Sequence, residues 1–131
     1  MKILIIGNGT QGKKRISNLN KNIKYKIYDP YHKSDYSKFD LINFNNFDAV
    51  FICTPDVNKF DYIEMFLKKK IHILVEKPLF YEADQLNYLY KLSKKSKTIC
   101  YTAYNHRFEP SFLLLKKKLK KKNSQICITV K

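Results

Sequence analysis

A chain of 131 residues is about one domain long, enough for one hydrophobic core and too short for two. With 44% hydrophobic and 15% aromatic residues it is expected to fold rather than stay disordered, and no apolar run approaches the roughly 18 residues of a membrane span. The formal net charge of +15 raises nucleic acid as a partner, yet only Arg15 and Arg107 of the 26 basic residues are arginine, which disfavours a dedicated nucleic-acid surface and points to lysines on solvated helix faces.

In chain order, short apolar runs alternate with helix-like segments. Lys2–Ile6 (KILII) is a nearly unbroken aliphatic run, as a strand covered on both faces requires. A short helix over Gln11–Asn20 leads to a second strand at Ile23–Tyr28. From Asp29 to Phe47 no period is legible, and a loop with at most one short strand or turn of helix is expected. Ala49–Thr54 (AVFICT) is a buried strand stopped by Pro55, and Asp56 can cap a helix over Val57–Lys69 with Phe60, Ile63, Phe66 and Leu67 on one stripe.

Ile71–Val75 is a strand, Ala83–Lys95 a helix and Thr98–Ala103 a strand. Pro110 opens a helix to about Lys122, with Phe112, Leu115 and Leu119 expected against the sheet and the lysines outward. Gln125–Val130 (QICITV) is a last strand candidate. Such alternation implies right-handed βαβ units and a parallel sheet in an α/β fold. Lys2 leads into a strand rather than a signal peptide's apolar core, so a cytoplasmic location is expected. Cys53, Cys100 and Cys127 are odd in number and show no C-x-x-C spacing, which indicates small core residues and no metal site.

All three glycines of the chain fall in Gly7-Asn8-Gly9-Thr10-Gln11-Gly12, between a predicted strand and a predicted helix. In that context G-x-G-x-x-G is a dinucleotide fingerprint. The first glycine permits the tight turn, the second lets a pyrophosphate approach the backbone, and the third lets the helix pack close on the sheet. Asp29 ends the second strand 17 residues beyond Gly12, where a carboxylate accepts both hydroxyls of an adenosine ribose and repels a 2′-phosphate. NAD is therefore favoured over NADP, a preference that Lys33 could soften. Three further strand ends carry polar residues and a proline at the carboxyl edge of the sheet: Asp48–Pro55, His72–Pro78 and Tyr104–Pro110.

A glycine fingerprint followed by D-A-V-x-I-x-T-P, H-x-x-x-E-K-P and N-H-R-F-x-P, in this order, resembles the N-terminal domain of the Gfo/Idh/MocA oxidoreductases, the glucose-fructose oxidoreductase and inositol dehydrogenase family. The resemblance covers nearly the whole chain, and Glu76-Lys77-Pro78 is its most specific part. It implies a Rossmann-type, doubly wound parallel sheet in a single domain over residues 1–123, with residues 124–131 as the first strand of an absent C-terminal substrate domain. It also implies that Cys53, Thr54 and Pro55 line the cofactor cleft and that Glu76 lies beside the nicotinamide ribose. Asn105 and Arg107 would border the substrate entrance. Lys77 would be the catalytic residue, with Lys77-Pro78 a cis bond, and a lysine tuned by partial burial can relay the proton of a carbinol hydroxyl.

Departures from the family pattern are Lys59 in place of a usual His, which removes a cleft contact, and Lys70 in place of a usual Gly. Lys70 leaves a helix end without its preferred left-handed residue at a cost of about 1 kcal/mol if the geometry is kept. The segment Tyr31–Phe47 is shorter than usual. His72, inside a strand, is expected to be a packed core residue, and His106 stays open as a catalyst. The implied reaction is hydride transfer between NAD and a carbinol carbon of a sugar, nucleotide sugar or polyol, incomplete in this chain alone. A non-catalytic nucleotide-binding or regulatory module, paired with itself or a partner chain through Ile126, Ile128 and Val130, and a truncated gene product are the alternatives.

Overall fold

The computed structural model describes residues 1–55 and 58–120. Five strands, β1 (Lys2–Ile6), β2 (Lys24–Tyr28), β3 (Ala49–Ile52), β4 (His72–Val75) and β5 (Cys100–Thr102), form one parallel sheet in the order β2-β1-β3-β4-β5. Helices α1 (Thr10–Ser17), α2 (Lys59–Lys68) and α3 (Ala83–Ser96) connect them, and α4 (Pro110–Lys120) follows β5. This is the Rossmann-like α/β fold expected from the alternation. From β1 the chain steps to β2 on one side and then returns to β3 on the other, so a crevice opens at the carboxyl ends of β1 and β3, where such sheets bind ligands.

Period two along the strands sorts the core. Leu4, Ile6, Val50, Ile52, Ile73 and Val75 share one face and pack against Ile63, Phe66 and Leu67 of α2 and Leu89 of α3. Ile3 and Ile5, on the opposite face, are equally buried, which is why KILII reads as a continuous apolar run. Edge strand β2 exposes Lys24 and Lys26, and Lys26 pairs with Asp35 at 2.8 Å; charged side chains on an edge discourage pairing with other chains.

The segment expected to be mostly loop holds two short 3₁₀ turns, Phe39–Leu41 and Phe44–Asn46. Its order comes from tertiary contact rather than period. Phe39 packs edge-on to Tyr28 and lies 5.2 Å from Phe44, which meets Phe66 of α2 at 5.5 Å, while Ile42 and Phe47 are buried. Lys70 lies at φ +58 beyond the end of α2, so the left-handed geometry is kept by a lysine. Lys97 (φ +55) closes α3 in the same way, and α3 opens with a capping box between Glu82 and Gln85.

Two expectations are corrected. Helix α4 rests on a 3₁₀ turn at Asn105–Phe108 rather than on the sheet, and Phe112 is 47% exposed. Phe112 to Leu115 are four consecutive apolar residues, which wrap around a helix instead of forming one stripe. His72 is exposed at the first position of β4, where its Nδ1 accepts the N–H of Ile99 at 3.2 Å. Asp56, Lys121, Lys122 and Gln125–Val130 lie outside the described residues. No helix among the described residues is long and apolar enough to cross a membrane.

Candidate active site

A cleft of about 740 Å³ lies at the carboxyl edge of the sheet. Gly7, Gly9, Thr10 and Gln11 line it beside Asp29, Cys53, Thr54, Pro55, Glu76 and Lys77. They come from the ends of four strands, β1 to β4, and from the start of α1, so the sheet order brings these distant segments together. Asn8 and Gly12 are buried behind this surface, and Asn105 and Arg107 are not part of the lining. Arg107 lies instead over Tyr101 and Phe108, at 5.5 Å from each ring, on a separate apolar groove with Phe112 and Leu119.

The three glycines have three different physical reasons. Gly7 sits at φ +96, its N–H donating to Tyr28 O at 2.9 Å, and a Cβ there would meet the carbonyl of Cys53 at 3.0 Å. A Cβ on Gly12 would lie 2.0 Å from the Gly7 carbonyl oxygen, so α1 can start close to the sheet only without a side chain there. Around Gly9 a Cβ would find nothing within 4 Å. Its bareness therefore serves no internal contact and leaves room for a group from outside. Gly9 also precedes α1, whose start carries no side-chain cap and no acidic residue in its first turn. Gly9, Thr10 and Gln11 line the cleft, so the N–H groups and the positive dipole end of this helix start could hold an anion there.

At the end of β2 the carboxylate of Asp29 is buried. Burial alone would raise its pKa, but hydrogen bonds from the backbone of Asn8, Tyr31 and His32 and from the His32 ring together hold it below its ordinary value. Asn8 thus serves Asp29 through its N–H, while its side chain donates to Lys33 O at 2.8 Å. Between the glycine turn and the end of β4, Thr54 Oγ1 is buried and finds no hydrogen-bond partner among the described residues. A hydroxyl left unsatisfied in a cleft is costly alone and is relieved by a polar ligand. The bare Gly9 backbone, the uncapped helix start and this hydroxyl fit a dinucleotide.

Glu76 is buried at the end of β4 and accepts from Nε of Arg15, the third residue of α1 after Gly12. The sequence singled out Glu76 but not its partner, since nothing local links two residues 61 positions apart. Lys59 is also brought in. It is 1% exposed, lines the cleft, and donates from Nζ to the Pro78 carbonyl at 3.0 Å, so the position expected to lose a cleft contact keeps one. Lys77-Pro78 is cis. Lys77 itself is exposed at the rim, without the partial burial expected of it. His106 is exposed away from the cleft, its Nδ1 2.7 Å from Glu109.

Burial, and next the charge of Glu76, push the Cys53 thiol up to about 12, and burial takes Cys100 to about 11. At pH 8 about one Cys53 in ten thousand is then thiolate. Peptide-resolved alkylation with iodoacetamide is expected to leave Cys53 and Cys100 almost unmodified at pH 8, with the Cys53 rate rising about tenfold per pH unit. Rapid labelling of Cys53 at pH 8 would contradict this raised pKa.

Comparison with known proteins agrees with this geometry. Residues 30–104, more than half of the chain, match the family described as the Gfo/Idh/MocA oxidoreductase family, NAD-binding Rossmann fold. An uncharacterised oxidoreductase of Bacillus subtilis, YrbE, is 31% identical over 86 residues, 66% of this chain and 25% of the relative. An inositol 2-dehydrogenase of Rhizobium meliloti is 34% identical over 70 residues, 53% of this chain and 21% of that protein. The crystal structure of an NAD-binding protein from Listeria innocua superposes with a TM-score of 0.77 at 19% identity, covering 92% of this chain and 40% of that one. The chain matches about a quarter of the length of these curated relatives. It belongs to the Gfo/Idh/MocA oxidoreductase family and corresponds to its NAD-binding Rossmann part.

Proposed function

We propose that this chain is the cofactor-binding half of an oxidoreductase that moves a hydride between NAD and a carbinol carbon of a sugar, nucleotide sugar or polyol. The observation that carries the reading is the convergence, in one cleft, of the bare Gly9 backbone, the Asp29 carboxylate and the Glu76-Lys77-Pro78 turn. Asp29 would hold the adenosine ribose and, as a buried anion, disfavour the 2′-phosphate of NADP. The N–H groups at the start of α1 would hold the pyrophosphate, and Thr54 and Glu76 the nicotinamide end.

Bound nicotinamide supplies the hydride chemistry. The carbinol hydroxyl must lose its proton as its carbon loses hydride to give a carbonyl, and Lys77 at the rim, in its unprotonated amine form, is the group assigned to accept that proton. The inositol dehydrogenase among the relatives favours a polyol. Because the matched relatives are about four times longer than the stretch they share, turnover is assigned to this half together with a substrate-binding domain.

The test is calorimetric titration of the purified chain with NADH and NADPH. NADH is expected to bind at least about tenfold more tightly than NADPH, a difference of roughly 1.4 kcal/mol. Absence of binding by both nucleotides overturns the cofactor assignment, and tighter NADPH binding overturns the role given to Asp29.

A further inference from the structure

The carboxylate assigned to the adenosine ribose is already fully engaged. Asp29 Oδ1 accepts from the backbone N–H of Tyr31 at 2.8 Å and of His32 at 2.9 Å. Oδ2 accepts the N–H of Asn8 at 2.5 Å and meets Nδ1 of the His32 ring at 3.0 Å. A carboxylate offers about four lone-pair sites, and all are occupied. A ribose hydroxyl can bond to Asp29 only if one donor leaves.

The four donors are not equally able to leave. Three are backbone N–H groups. That of Asn8 follows Gly7, itself tied to Tyr28 O, and those of Tyr31 and His32 belong to the turn that Asp29 begins. Removing any of them means rebuilding the chain around β1 and β2. The fourth is a side chain 55% exposed, on the wall of the same cleft. Since a carboxylate only accepts, Nδ1 carries the proton in this contact, and the imidazole presents to Asp29 the same kind of donor as a ribose hydroxyl.

We propose that His32 is a built-in competitor at the nucleotide site: its ring occupies the one exchangeable acceptor position on Asp29 and must swing out when the adenosine ribose binds. The inference rests on the assignment of the ribose to Asp29. The ring competes with the ribose for one bond, so apparent affinity equals the intrinsic affinity reduced by the fraction of molecules with the ring out. The backbone donors meanwhile hold the carboxylate in position in both states.

The test is calorimetric titration of NADH into the wild-type chain, His32→Ala and His32→Asn. Removing the ring is expected to tighten NADH binding about fivefold, the worth of one exposed hydrogen bond to a charged acceptor. Asparagine, whose amide can donate to the same oxygen, is expected to bind within about twofold of wild type. If all three proteins bind NADH and His32→Ala is unchanged or weaker, the exchange is wrong while the cofactor assignment stands. If none binds, the assignment of Asp29 falls and the exchange falls with it. Thermal melts of the free proteins separate a binding effect from a folding one.

Discussion

Gly12→Ala is expected to cost the domain about 3 kcal/mol or more, moving its urea midpoint well below wild type and abolishing NADH binding with it. The added Cβ would lie 2.0 Å from the Gly7 carbonyl oxygen, a backbone atom that cannot rotate away. Relief requires either α1 to lift from β1 or the Gly7 turn to open, and Gly7 is itself pinned at φ +96 with Cys53 backbone at 3.0 Å from its own missing Cβ. Gly9→Ala is the contrasting variant. Its Cβ has open space and its φ of −74 suits alanine, so stability should stay within about 0.5 kcal/mol of wild type. Because the methyl would stand where a pyrophosphate approaches the backbone, NADH affinity should fall at least about tenfold. Equal stability losses in the two variants would refute this division of labour, and undiminished NADH binding by Gly9→Ala would remove the phosphate from this turn.

The steric roles of Gly7 and Gly12 are legible from spacing alone, because strand, turn and helix pose the same steric problem wherever G-x-G-x-x-G occurs. So is the sheet: Lys2–Ile6 is a strand as read, and β3 and β4 differ from expectation only at their ends. Segments whose order depends on distant partners were not legible. Phe39, Ile42, Phe44 and Phe47 lack a period because each meets a different neighbour, from Tyr28 to Phe66. Phe112, Leu115 and Leu119 predict an amphipathic helix α4, but Leu113 and Leu114 between them are apolar and exposed. In the cleft, the motif residues Asp29, Thr54, Pro55, Glu76 and Lys77 were identifiable, whereas Arg15, His32 and Lys59 were not singled out as site residues. Arg15 and Lys59 act through an ion pair and a hydrogen bond to residues brought near by the fold, Glu76 and Pro78, whereas His32 meets Asp29 three residues away, in a turn whose shape no local pattern marks.

Arg15 carries the second large effect. Glu76 has a side chain 7% exposed, and Nε of Arg15, itself 25% exposed, is its ion-pair partner. Arg15→Met keeps most of the apolar stem and leaves a buried carboxylate facing a thioether, so the expected loss is about 2–3 kcal/mol, discounted from a fully buried pair for the partial exposure of the arginine. The pair also ties the helix that follows the glycine loop to the turn that carries Lys77, so NADH binding should weaken along with stability. In Arg15→Met/Glu76→Gln the orphaned charge is gone, and most of the lost stability should return by urea denaturation, giving a coupling of about 1–3 kcal/mol in the double-mutant cycle. If the two losses simply add, Glu76 is satisfied by other groups and Arg15 is only a surface cation. If stability returns in the double variant but NADH affinity does not, the ion pair contributes to the nucleotide site beyond its part in folding.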